Sequence, residues 1–298
     1  MISDVAATYY SIRAGEEGIA LAERTVASRR QGLEIAKLRL DAGVTSSVDY
    51  DQAALPVTQA VTELADLRRA TEQRRNQLLV LVGGPVAAVL PAGKPINVAG
   101  QFETLDAGLP AALLGNRPDV LQAEQQLLAA NANIGAARAA FFPTISLTGA
   151  FGFASPELGG LFKGANQSWS FGSGLNLPLF DGGRRQALLG TAKAQRDELA
   201  ATYQYTVQNA FREVSDALVG RQRYREQIRA LEEAVAAQRR LAETAQLRYD
   251  NGIVIYLEVL DAQRNLFSTE QQLILLRATE LQNGVSLYTA LGGGLGAR

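Results

Sequence analysis

Asn116–Leu147 reads NRPDVLQAEQQLLAANANIGAARAAFFPTISL, and within it the hydrophobic period changes from that of a helix to that of a strand. Pro118 suits a first helical turn, and Asp119 is favourable beside the positive end of the helix dipole. An Ala-rich run follows, whose small side chains allow close helix packing. Phe141-Phe142-Pro143 then predicts a stop, so a helix is expected over about 118–141 and a strand from Thr144. From Thr144 to Ala154, Ile145, Leu147, Gly149, Phe151 and Phe153 fall on one side. Thr144, Ser146, Thr148 and Ala150 fall on the other.

Working outward, the loop SPELGGLFKGANQ (155–167) leads to a second alternating run. Trp169, Phe171, Leu175, Leu177 and Leu179 take one face, and Ser168, Ser170, Gly172, Gly174 and Asn176 the other. Pro178 near its end fits a bend or a strand edge. Asp181-Gly182-Gly183 reads as a turn, and from about Arg184 to Asp250 there is no Pro and only two Gly. Such a helix would be on the order of 100 Å long at ~1.5 Å per residue. Tyr203, Val207, Ala210, Val214, Ala217, Tyr224, Ile228, Leu231 and Val235 form its 4/3-spaced seam, broken at Arg221. A tip at Asn251-Gly252 and a returning helix to about Leu291 complete this half.

The N-terminal half shows the same plan. Residues 2–41 read as a helix, with Val5, Ile12, Ile19, Val26 and Leu33 recurring every seven positions. A turn around Gly43 follows, then a helix from about Val48 to Val82 that Gly83-Gly84-Pro85 ends. Residues 85–117 are rich in Pro and Gly and read as an irregular linker, with one short strand and a short helix near Pro110–Leu114. The expected divisions are a first hairpin (1–84), the linker (85–117), a helix with two strands (118–183) and a second long hairpin (184–298). The fold class is therefore mainly α, with antiparallel coiled-coil hairpins in two repeats and a small β part.

A constant offset of 209 relates the two hairpins. It pairs Leu38–Gly43 with Leu247–Gly252, Val48-Asp49 with Leu257-Glu258, and Val82-Gly83-Gly84 with Leu291-Gly292-Gly293. Ile2 then falls opposite Phe211, so Pro118 to about Asn209 has no first-repeat counterpart. The expectation is that the chain starts inside the first repeat's long helix. About 90 residues of that repeat, with any export signal, would then be absent.

Composition narrows the chemistry. Net charge is −1, which suggests no nucleic-acid partner. With no His and no Cys, the commonest general base, thiol nucleophiles and nearly every zinc site are excluded, and no cofactor or metal site is expected. No run of about 18 apolar residues encodes a membrane-spanning helix. Ten-residue alternation with aromatics near one end matches a barrel strand, lipid outside and water inside. It also matches a hairpin half-buried against the chain's own helices. Two strands cannot close a barrel, so membrane strands would have to be shared among several chains.

Near the tips, Glu258 and Asp261 lie at i and i+3 on one helix face. They fit a carboxylate filter, or merely a solvated first turn where acids suit the helix N-terminus. Paired carboxylates could also do acid/base work, but no phosphate loop or metal constellation accompanies them, so an enzyme is not expected. A periplasmic coiled-coil adaptor or scaffold is the other rival; it would use long hairpins without needing the alternating strands.

Asn116–Leu147, the duplicated tips and the Leu-Gly-Gly ends resemble NodT-type outer-membrane efflux lipoproteins, the TolC-like outer membrane factors, over about residues 2–294. That resemblance implies a homotrimer in the outer membrane of a Gram-negative bacterium, each chain giving four strands to a shared twelve-stranded barrel. Paired helices would form a tunnel through the periplasm, passing drugs or other small molecules outward without catalysis. The implied partners are outer-membrane lipid, a periplasmic adaptor and an inner-membrane pump of the RND type. Ile145, Leu147, Phe151, Phe153, Trp169, Phe171, Leu175 and Leu177 would face lipid. Glu258 and Asp261 match the family's periplasmic constriction, Asp49 the network that holds it shut, and Tyr249 the gate tyrosine. Val254 stands where some members carry an arginine. Gly43-Val44-Thr45 and Gly252-Ile253-Val254 match the tips that meet the adaptor, and are also turns that need glycine. Arg39 and Arg248 would serve that contact, or pair with Asp41 and Asp250. Set against the family's pattern, the first helix and strand pair, a signal peptide and the lipidated Cys of many members are expected to be missing from these residues.

Overall fold

The computed structural model describes residues 2–84, 95, 96, 115 and 117–293. Its elements are α1 (Ile2–Asp41), α2 (Ser47–Val82), α3 (Pro118–Ala139), β1 (Thr144–Phe153), β2 (Gln167–Asn176), α4 (Arg184–Asp250) and α5 (Tyr256–Ala290). The chain divides into two compact units, residues 1–116 with 211–298, and residues 117–210. The short strand and the helix expected within the 85–117 linker lie outside the described residues.

In the first unit, α1 packs against both α2 and α5. Small residues set the spacing: a Cβ on Gly15 would overlap the Thr71 hydroxyl, which donates to the Leu67 carbonyl at 2.8 Å. One buried cluster lies on the predicted α4 seam and a second forms between α1 and α5. Val214 and Ala217 of α4 meet Leu287 and Ala290 of α5, and Ala14 of α1 meets Ala278 and Leu281 of α5. Ile96, from the linker, joins the second cluster and donates its amide to Glu17 at 2.7 Å. Exposed ion pairs decorate the hairpins, such as Arg68–Glu23 and Arg239–Glu270, both at 2.6 Å. Surface pairs of this kind contribute on the order of 0–1 kcal/mol each, so the apolar seams hold the hairpins together.

The duplication read from sequence is a duplication of hydrogen bonds. At the first tip Gly43 (φ 72°) donates to Leu40 at 2.9 Å and Val44 to Arg39 at 2.9 Å. At the second, Gly252 (φ 73°) donates to Tyr249 at 2.9 Å and Ile253 to Arg248 at 2.8 Å. Both glycines occupy the left-handed region that a Cβ disfavours. Gly83 (φ 76°) and Gly292 (φ 82°) likewise occupy equivalent helix ends.

In the second unit, α3 starts as expected with Pro118 in its first turn, and Arg117 grips Asp119 through two hydrogen bonds of 3.0 and 2.7 Å. It ends at Ala139, two residues before the predicted stop, because Phe141 and Phe142 already form turn bonds to Arg138 and Ala139. β1 and β2 pair antiparallel over ten residues each. Leu177, expected in β2, lies one residue beyond it. Pro178 has no N–H to give a ladder, so pairing stops at Asn176 opposite Thr144, directly after Pro143. Leaving the sheet, Asp181 accepts the amides of Gly183 at 3.1 Å and Arg185 at 3.0 Å, capping the start of α4. The Arg185 side chain binds Asp181 at 2.6 Å and sits 5.7 Å over the Phe141 ring.

Candidate functional site

The first site is the strand pair. Directly opposed residues of an antiparallel pair point to the same face. The register places Ile145 opposite Leu175, Leu147 opposite Ser173, Gly149 opposite Phe171 and Phe151 opposite Trp169. Both apolar sets therefore share one face. The opposite face collects Thr144 and Asn176, Ser146 and Gly174, Thr148 and Gly172, Ala150 and Ser170, Gly152 and Ser168. It is small, uncharged and mostly polar. A slip of one residue would have mixed the two faces. The apolar face is open: Leu147 is 70% exposed, Phe171 66% and Trp169 76%. Among the described residues nothing covers that face, which speaks against a hairpin half-buried on the chain's own helices.

Loop residues extend the apolar face at one end. Phe162 packs edge-on against Phe153, with ring centroids 5.6 Å apart, while Asn166 donates to the Gly160 carbonyl at 2.8 Å and closes the turn.

The second site is the pair of tips, where the two repeats diverge. Ser46 caps α2 in a reciprocal box with Asp49, and the Thr45 hydroxyl also donates to Asp49. These bonds hold the Asp49 carboxyl below the ordinary carboxylate range, the Thr45 hydroxyl contributing most. At the offset of 209, Ser46 becomes Ile255, which cannot cap, and α5 starts with no side-chain cap bond. Glu258, released from capping, instead binds Arg248 at 2.6 Å. Asp261 binds Arg264 at 3.0 Å. The two carboxylates share one face of α5 as expected, and each carries a cationic partner from its own chain.

Tyr249, at 9% exposure, is packed with Ala245 and Val259, beside Val254 and Tyr256. The Arg39 guanidinium lies 4.4 Å over its ring. Arg39 and Arg248 engage Tyr249 and Glu258, so of their two readings the pairing with Asp41 and Asp250 is not the one formed; Asp250 accepts from Gln246 at 2.9 Å. Both aspartates end their helices, where each arginine's long stem reaches other partners. Among the expected tip contacts, Val44 and Ile253 project outward, whereas Thr45 and Val254 are half-buried. Sequence reasoning missed Arg264 and Tyr256. The i,i+3 spacing from Asp261 was a usable signal for the first; the second needed the neighbouring helix.

Duplicated helical hairpins joined to a two-faced strand pair define the fold of the outer-membrane efflux channels. A Pseudomonas aeruginosa membrane protein superimposes with a TM-score of 0.86 at 39% identity, over 98% of this chain and 66% of that one. The open-state MtrE outer membrane channel of Neisseria gonorrhoeae gives a TM-score of 0.84 at 37% identity, over 99% and 66%. In sequence, the solvent efflux pump outer membrane protein SrpC of Pseudomonas putida is 44% identical over 294 residues, covering 99% of this chain and 62% of the relative. The profile of the outer membrane efflux protein family matches residues 1–84 and 109–293, and the chain belongs to that family. It spans about three-fifths of the length of the curated relatives it matches.

Proposed function

We propose that the protein acts in the outer membrane of a Gram-negative bacterium as a passive exit duct of a tripartite efflux system. It carries no catalytic step. The observation that supports this most is the strand register, which puts all the large apolar side chains of both strands on one face, for lipid, and leaves one small, uncharged face for water. Both faces are open and both sheet edges are unpaired within the described residues, so further strands must complete a barrel. A homotrimer sharing one barrel meets that need. Outward apolar side chains on the helices, including Leu38, Leu55, Val80, Leu241 and Leu275, are consistent with packing of further copies.

The duct is read as closed at the tips by Glu258 and Asp261, with Asp49 and Tyr249 supporting them. In a trimer each acid would form a ring of three, tuned by Arg248 and Arg264. Val44 and Ile253, beside the tip glycines, would dock a periplasmic adaptor, which in turn meets an inner-membrane pump of the RND type. The names of the relatives point to small apolar or aromatic compounds as cargo, since SrpC is a solvent and TtgI a toluene efflux protein. A coiled-coil adaptor or scaffold is disfavoured, because it would have no use for an open apolar sheet face.

The test is the native mass of the membrane-extracted protein in detergent, followed by conductance in planar bilayers with Glu258 and Asp261 neutralised. A detergent-dependent trimer whose ion selectivity falls in the double variant supports the duct. A folded, detergent-independent monomer overturns it.

A further inference from the structure

The second tip is attached to α1 by contacts that the first tip lacks. Arg39 of α1 stacks on Tyr249 at 4.4 Å, and Tyr249 packs on Tyr256 with ring centroids 5.0 Å apart. The Tyr256 hydroxyl reaches α1 at Gly32, occupying the space where a Cβ would sit. About one turn further in, Arg29 is only 9% exposed. Its guanidinium donates to the Pro56 carbonyl of α2 at 2.8 Å and lies 6.0 Å over Phe267 of α5.

The repeat offset shows that this apparatus is not a general need of the coiled coil. The first-repeat equivalents of Tyr249, Tyr256 and Phe267 are Leu40, Ser47 and Thr58, while Gly32 and Arg29 correspond to Leu241 and Gln238 in the second. Arg39 itself recurs as Arg248, but the aromatic groups on the second hairpin, and Gly32 and Arg29 that receive two of them on α1, occur once only. They bracket the acids: Tyr249 follows Arg248, the partner of Glu258, and Tyr256 opens the helical turn that carries Glu258.

We propose that Arg39, Gly32 and Arg29 form a latch on α1 that holds the second tip, and that this latch positions the Glu258 and Asp261 carboxylates in the shut arrangement. The inference deepens the duct reading and rests on it for the gating role. Arg39, Gly32 and Tyr256 act as positioning residues. A cation over an aromatic ring contributes enough to matter locally without holding the whole fold.

Hydrogen exchange of the protein in detergent reads the latch without requiring a conducting channel. Arg39→Leu is expected to speed exchange of amides 249–262 by roughly tenfold, about 1.4 kcal/mol, while amides 43–52 stay unchanged. Arg39→Lys should recover part of the protection. Gly32→Ala should produce the same loosening by displacing the Tyr256 hydroxyl, and Gly32→Ala combined with Tyr256→Phe should restore protection. A tip 2 whose exchange is unmoved by Arg39→Leu and Gly32→Ala overturns the latch. Bilayer conductance then separates the two readings. Greater open probability in Arg39→Leu supports the positioning role, and equal open probability with faster exchange overturns it. If neither wild type nor variant conducts while exchange still responds, the duct reading fails and the latch contacts stand.

Discussion

Leu147 and Thr148 are sequence neighbours on opposite faces of one strand, and arginine at each should have opposite consequences. Their partners, Ser173 and Gly172, make them the fourth and fifth of ten pairs, close to the middle of the hairpin. Ten residues at ~3.3 Å span about 33 Å of strand, and a tilt near 40° reduces this to roughly 25 Å along the membrane normal. That equals the height of a barrel's apolar band, so in the proposed barrel the middle pairs would sit near its midplane. Leu147→Arg then puts a charge into hydrocarbon at a cost of about 2–4 kcal/mol per chain, a shift of roughly 30- to 1,000-fold in the folding equilibrium. Thr148→Arg points to water and should cost less than about 1 kcal/mol. Reversible denaturant unfolding in lipid vesicles, or the yield of assembled protein in detergent, measures the difference. Equal tolerance of the two arginines would refute the assignment of the apolar face to lipid.

Other outcomes follow from the tips and seams. Arg248→Gln removes the cation beside Glu258, so cation-over-anion permeability in bilayers should rise; an unchanged reversal potential would show that Glu258 does not face the ion path. The Asp49 carboxyl is held below its ordinary value of 3.8, so its contribution to the first tip is present above that value and lost as pH falls through the folded value. Exchange of amides 46–52 should therefore accelerate under acid, an effect absent in Asp49→Asn. Gly15→Ala drives a methyl group into the Thr71 hydroxyl and should destabilise the α1–α2 contact by about 1–3 kcal/mol in thermal unfolding, with relief from Thr71→Ala.

Much of this architecture was written in periodicity. The seven-residue recurrence of Val5 to Leu33, the long 4/3 seam of α4 and the offset of 209 defined the hairpins, because a helix face repeats at a spacing that sequence displays directly. Tip glycines were legible for the same local reason: a left-handed residue flanked by helix ends leaves few other candidates. The alternation at 144–154 and 168–179 foretold two-faced strands, although the second ends at Asn176. Alternation alone could not say whether the apolar face is covered by the chain's own helices; the exposure of both strands shows it open among the described residues. Nor could it say that the two apolar faces coincide, which depends on pairing register, a relation between segments.

Side-chain partners were settled only by tertiary structure. Arg39, Arg248 and Asp49 were all recognised as tip residues, yet one lies on an aromatic ring, one pairs with Glu258 and one caps its own helix. Long flexible side chains have several charged neighbours within reach in sequence, and spacing along one helix cannot rank a partner that another helix supplies. Gly32 states the point most simply. Its lack of a side chain looks like a weak spot in α1 until Tyr256, 224 positions away, is found occupying the space.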